Sequence, residues 1–217
     1  MTVALVYYGI NNLASVRRAL TDLGADVVIA ERPDALAAAS RIVLPGVGAF
    51  GEAMGRLRGG GWVEALREQV VDRGTPFLGI CLGMQVLATS SDEAGFHEGL
   101  GLVPGCVRRL DAFGCSLRIP HVGWNEVHFV DNAALFRAIP QATDFYFVHS
   151  YAFAPDCAET VCATTTYGAT LTAAVQHGHI FGTQFHPEKS SRAGRQILRN
   201  FLEHQPGPAE AGRDARC

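Results

Sequence analysis

The chain has 217 residues, 48% of them hydrophobic and 18% charged, with a formal net charge of −3. That length suits one domain around one large core, and the apolar content argues against a disordered chain. The charge carries no footprint for nucleic acid, no apolar run reaches the length of a membrane span, and the opening MTVALVYYGINNL lacks the basic flank of a signal peptide.

Taken in order, the chain alternates strand-like and helix-like stretches. VALVYY (3–8) predicts a strand, and NNLASVRRALTDLG (11–24) a helix. Asn11 or Asn12 offers an N-cap, Gly24 a stop, and Leu13, Val16, Leu20 and Leu23 recur at helical spacing. DVVIA (26–30) predicts a second strand, 33–40 a short helix, and RIVLP (41–45) a third strand running into the glycine-rich VGAFG. Helices are expected at 50–58 and 62–73. PFLGI (76–80) is continuously apolar, as a strand buried on both faces would be. Beyond residue 100 the pattern changes to short strands: GCVRRL, SLRIP, FYFVHSY and TVCATTTYG. LTAAVQ-HGH-IFGTQF predicts a hairpin, and 190–204 a final helix. The alternation argues for an α/β domain with a mostly parallel central sheet. QPGPAEAGRDARC reads as a frayed tail.

Six cysteines stand at 81, 106, 115, 157, 162 and 217, none in a C-x-x-C pair. A zinc or redox motif is therefore unsupported, and free thiols in a reducing cytoplasm are expected. His177 and His179 flank a glycine in the predicted hairpin turn and read as solvated side chains rather than metal ligands. His121 reads as a positioning or packing residue.

Gly79-Ile80-Cys81-Leu82-Gly83 follows the buried-strand pattern and opens a helical one, MQVLATSS. This is a G-x-nucleophile-x-G elbow with cysteine in place of serine. Its glycines are needed because side chains beside so sharp a turn would clash. A helix N-terminus favours thiolate, and the amide of Leu82 is free to face an oxyanion. The competing reading is a buried structural cysteine. A cysteine nucleophile needs a base, and the base an orienting group. His186 and Glu188 supply both if 185–188 is extended, since alternate residues then share a side. Gly46-Val47-Gly48-Ala49-Phe50-Gly51 matches G-x-G-x-x-G. It follows the third strand rather than the first and lacks the acid at the expected distance, which disfavours a dinucleotide. Its exposed amides suit an oxyanion hole instead. Lys189 is the single lysine against seventeen arginines.

Together, YGINNLASV (8–16), LPGVGAF (44–50), LGICLGMQVL (78–87), GLGLVPG (99–105), IPHVGWN (119–125), YFVHSY (146–151) and GTQFHPEKS (182–190) carry a resemblance. It spans residues 3 to about 202. The elbow and the HPE stretch resemble the class I glutamine amidotransferases, which have a Cys-His-Glu triad. The other blocks are similar to the glutaminase subunits of imidazole glycerol phosphate synthase. The resemblance implies a three-layer, flavodoxin-like fold with antiparallel strands added in the C-terminal half, over a domain of residues 1–204 with a tail at 205–217. It implies that Cys81 attacks the side-chain amide of glutamine, His186 moves protons and Glu188 orients it, with no cofactor and no metal. Leu82 and Val47 amides would form the oxyanion hole, the latter after a turn of the Gly46–Val47 peptide. Gly48, Gln85 and Glu93 match glutamine contacts, Glu93 suiting the α-ammonium; His149, Ser150 and Tyr151 match another part of that pocket.

The implied partner is a HisF-type (β/α)8-barrel cyclase that receives ammonia and makes imidazole glycerol phosphate and AICAR. Asn12, Trp124, Tyr146 and Lys189 match positions facing it, and core packing is the alternative for Trp124. Lys189 is expected to face away from the triad, towards a barrel carboxylate. The sequence departs from the family pattern at Tyr8 and Asn11. Two other readings are a related glutaminase serving a sugar-amidinating enzyme of surface-polysaccharide synthesis, and a catalytically silent scaffold subunit.

Overall fold

A computed structural model describes residues 1–9 and 13–205. The proposed N-cap at Asn11 or Asn12, Asn12 as an expected partner-facing position and nearly all of the expected C-terminal tail lie outside the described residues. The chain runs through β1 (Thr2–Val6), α1 (Leu13–Thr21), β2 (Asp26–Ala30), β3 (Arg41–Gly46), α2 (Phe50–Gly59), α3 (Trp62–Arg67) and β4 (Phe77–Cys81). Then come α4 (Leu82–Gln85), β5 (Ser90–Ser91), β6 (His97–Glu98), β7 (Gly105–Arg109), β8 (His121–Phe129) and β9 (Thr143–His149). β10 (Tyr151–Pro155), β11 (Val161–Thr166), β12 (Thr170–His177), β13 (Ile180–Thr183) and α5 (Ser191–Glu203) complete it.

Nine strands form one sheet in the order β2-β1-β3-β4-β13-β12-β11-β8-β9. The first five are parallel, in the doubly wound order, and the remainder pair antiparallel. Every residue of β3 and β4 is buried, as strands covered on both faces must be. Alternation along the strands divides the core. Ala4, Val6, Ile42 and Leu44 pack on the α2–α3 side, whereas Val3, Leu5, Val43 and Ile80 face α1 and α5. A second sheet, β10-β7-β5-β6, adds to the α2–α3 layer through Val107 and Phe153. Arg41 ties the layers together: its Nε donates to Leu202 O at 2.9 Å and Nη2 to His204 O at 2.5 Å, closing the end of α5.

Several expectations are corrected. The stretch 33–38 is 3-10 rather than α, and α3 passes into a π-turn at 68–72. The helix expected over MQVLATSS is one turn long. Residues 82–88 are wholly buried, and the carbonyls of Val86, Leu87, Ala88 and Thr89 accept from Leu100, Leu102, Val103, Gly101 and Gly99 instead of continuing the helix. SLRIP has no strand pairing; β8 begins at His121, after a cis Ile119–Pro120 bond. FYFVHSY is two strands in two sheets. It breaks at Ser150, whose carbonyl accepts from Leu110 N at 3.0 Å.

Candidate active site

Parallel strands collect their C-terminal ends along one edge, and there β3, β4 and β13 bring Gly46, Cys81 and the 184–188 segment together. Cys81 ends β4 with φ 55° and ψ −112°, a conformation that side chains rarely adopt. The packing explains the glycines around it. A Cβ on Gly83 would stand 1.8 Å from Leu44 O, and one on Gly79 2.3 Å from Gly83 O. As the first residue of α4, Leu82 has an N–H with no intrahelical acceptor.

His186 and Glu188 meet across Pro187, with Nδ1···Oε1 at 2.8 Å and both side chains buried. They do so by a 3-10 turn over Pro187–Lys189 rather than by the extended chain expected; proline fits the first turn because no N–H is needed there. The turn is pinned to β9: His186 N donates to Tyr146 O at 2.9 Å, Ser190 Oγ to His186 O at 2.7 Å, and Tyr146 N to Ser190 Oγ at 3.0 Å. His186 Nε2 is buried and makes no hydrogen bond among the described residues. Burial lowers the pKa of His186, but the interactions with Cys81 and then Glu188 outweigh it and raise it to about 9.

The sulfur has further neighbours that the motif alone did not suggest. Gln184 Nε2 donates to Cys81 Sγ at 3.6 Å, and Val148 O lies 3.9 Å from it. Gln85 Nε2 donates to Gln184 Oε1 and to Tyr151 O, both at 2.9 Å, so its amide protons are engaged and only its oxygen is open to accept. His149 Nδ1 lies 2.8 Å from Tyr151 O, and its Nε2 lies 3.0 Å from His121 Nδ1. A carbonyl only accepts, so His149 carries its proton on Nδ1 and accepts from His121 through Nε2. Asn125 Nδ2 then serves His121 Nε2 at 3.3 Å. Both rings are thus neutral, and burial pulls each to about 4. His149 has no free ring nitrogen for a ligand.

Other positions fall into three groups. Val47 and Gly48 are exposed on the loop after β3, where Gly48 has φ +94°. Glu93 Oε2 accepts from Phe50 N at 2.8 Å, at the start of α2. The Tyr8 hydroxyl is buried without a hydrogen-bond partner among the described residues, 2.9 Å from where a Gly46 Cβ would be; burial first, then the charges of Cys81 and Glu52, push its ionisation up. Ser150 and Tyr151 are half-buried. On the outer face of β8–β9, Trp124 pairs with Tyr146 and Val122 with Val148. Trp124 is 52% exposed and meets Tyr146 edge-on at 6.0 Å, so it is not core packing. Lys189 is exposed, with Nζ 5.8 Å from the centre of the Tyr146 ring. His179 is half-buried, with Nε2 2.6 Å from Val70 O, and is not simply solvated. Among the described residues no three His, Cys, Asp or Glu side chains are grouped to hold a metal ion.

A model of the class-I glutamine amidotransferase family matches residues 4–205. The chain belongs to this family. This amidotransferase is 50% identical over 201 residues to the imidazole glycerol phosphate synthase subunit HisH of Moorella thermoacetica, covering 93% of this chain and 94% of that relative. The corresponding protein of Herpetosiphon aurantiacus is 47% identical over 201 residues, covering 93% of each. The fold of the amidotransferase is that of solved relatives. A glutamine amidotransferase crystal structure superposes with a TM-score of 0.72 at 21% identity, over 92% of this chain and 97% of the other. A glutamine amidotransferase from Thermotoga maritima gives 0.68 at 21% identity, over 94% of this chain and 96% of the other. No helix among the described residues is long and apolar enough to cross a membrane.

Proposed function

We propose that this chain is the glutaminase subunit of an imidazole glycerol phosphate synthase, formed by residues 1–204 and working in the cytoplasm. The observation that carries the reading is the strained Cys81 elbow facing a buried His186–Glu188 pair whose Nε2 has no hydrogen bond among the described residues. The Cys81 thiol first gives its proton to His186 Nε2, a transfer that the raised pKa of the ring favours, and the sulfur then adds to the carboxamide carbon of glutamine. The carbonyl electron pair moves onto oxygen, held by the amides of Leu82 and, once the Gly46–Val47 peptide turns, of Val47. The C–N bond then breaks as His186 returns the proton to nitrogen, releasing ammonia and leaving a thioester. Water gives a proton to His186 and attacks the thioester; the C–S bond breaks as His186 passes that proton to the Cys81 sulfur, and glutamate leaves. Glu188 holds the imidazole in orientation throughout. Gly48, Gln85, Glu93, Ser150 and Tyr151 surround the glutamine, and His149 positions that wall from behind.

The partner is a (β/α)8-barrel cyclase that takes the ammonia to make imidazole glycerol phosphate and AICAR. The exposed apolar side chains of Val122, Trp124 and Val148 around the half-buried Tyr146 support docking there, with Lys189 at the edge for a barrel carboxylate. A closed joint keeps ammonia from being protonated and lost in water. The test is release of glutamate from glutamine, with and without purified cyclase and its nucleotide ligand. Strong stimulation is expected. No glutamate from the complete system would overturn the reading.

A further inference from the structure

Gln184 follows β13, the strand beside β4, and its side chain is fully buried between the nucleophile and Gln85. Its backbone N–H is fixed to Ala173 O at 2.8 Å. The orientation of its amide follows from the surrounding hydrogen bonds. Tyr151 O can only accept, so Gln85 turns its nitrogen inward; the group facing that nitrogen on Gln184 must then be oxygen. The Gln184 nitrogen is left facing Cys81 Sγ, 3.6 Å away. Turning either amide over would set donor against donor or oxygen against oxygen.

We infer that Gln184 is a further catalytic residue of the glutaminase reaction, its amide N–H holding the Cys81 sulfur and favouring the anion that attacks glutamine. This rests on Cys81 being the nucleophile. In the first step the sulfur gives its proton to His186, and the Gln184 N–H remains as a donor to the negative charge left behind. As the C–S bond forms that charge moves to the carboxamide oxygen and the N–H···S bond weakens. Gln184 therefore acts on the attacking thiolate, whereas the Leu82 and Val47 amides act on the oxyanion. The titratable groups facing the sulfur are His186 from the turn after β13 and Tyr8 from beyond β1, with Glu188 behind His186.

The test is alkylation of Cys81 by iodoacetamide across pH, followed by mass spectrometry of its peptide, in the intact chain without glutamine. Gln184→Met keeps the length and apolar volume of the side chain and removes the donor. A hydrogen bond to a charged group is worth enough to change the thiolate population roughly tenfold. The variant should therefore label about tenfold more slowly at neutral pH and reach the wild-type rate at high pH, where all the sulfur is ionised. Its ultraviolet thiolate band should rise at correspondingly higher pH. Wild-type labelling at every pH, or slowing by one constant factor at every pH, would overturn the inference, since loosened packing alone has no reason to converge. Gln85→Met, which frees the Gln184 oxygen, should move the profile in the same direction by less; if Gln184→Met does not fold, an unmoved profile in Gln85→Met overturns the inference. Failure of the underlying reading is separable: wild-type complex would then make no glutamate, whatever the labelling profile.

Discussion

Replacing Glu188 by Gln keeps the shape of the side chain and an acceptor for His186 Nδ1 while removing the charge. His186 stands at about 9 against an ordinary 6.5, a gap equivalent to roughly 3 kcal/mol in favour of the charged ring. Burial opposes that charge, so Cys81 and Glu188 together supply more than the whole gap. Assigning Glu188 about half of it gives about 1.5–2 kcal/mol and a fall in kcat of roughly ten- to thirtyfold. A raised folded pKa contributes stability that is complete below the unfolded value and disappears as pH rises through about 9. Glu188→Gln should therefore melt below wild type near neutral pH, and the difference should narrow as pH rises through about 9. The assays are glutamate release in the presence of ligand-loaded cyclase and thermal unfolding over that range. A variant with kcat within about twofold of wild type and an unchanged pH profile would refute the assignment of Glu188 as the charged orienting group.

Gly83→Ala places a methyl 1.8 Å from Leu44 O, a contact that only movement of β3 or the elbow can relieve. A loss of about 3 kcal/mol or more in denaturant unfolding is expected, with glutaminase activity abolished. The His121–His149 pair makes the protein acid-sensitive. Folded values near 4 lie below the unfolded value, so stability is complete above about 6.5 and is lost as pH falls towards 4, by roughly 3 kcal/mol for His149 alone. Urea unfolding at stepped pH measures it, and His149→Gln should flatten the slope. Trp124→Ala and Lys189→Ala, both at exposed positions, should leave the melting temperature of the isolated chain nearly unchanged. Both should weaken stimulation by the cyclase, measured by titrating one protein with the other; undiminished coupling in the pair of variants would move the docking face elsewhere.

The elbow was legible because its requirements are local. Gly79 and Gly83 sit where backbone from β3 and α4 comes too close for any side chain, and G-x-C-x-G between an apolar run and a helix records that directly. The His186–Glu188 pair was legible from its spacing, although the backbone joins the two through a 3-10 turn rather than an extended strand. Strand and helix alternation foretold the parallel half of the sheet because burial on both faces leaves continuous apolar runs.

The misses share one cause, competition from partners far away in the chain. The helix after Cys81 stops after one turn because carbonyls at 86–89 bind amides at 99–103. FYFVHSY reads as a single strand by period, yet Ser150 leaves one sheet for another to serve Leu110. Gln184 has no pattern to betray it: its partners, Cys81 and Gln85, are separated from it by 103 and 99 positions. Residue types and short spacings by themselves determined the class of fold and pointed to Cys81 as the candidate nucleophile with His186 as its base, since strain, capping and periodicity act between near neighbours. Only the tertiary structure decided which amides, imidazoles and aromatics meet the thiol or remain exposed beside it, because those contacts depend on the order in which strands assemble.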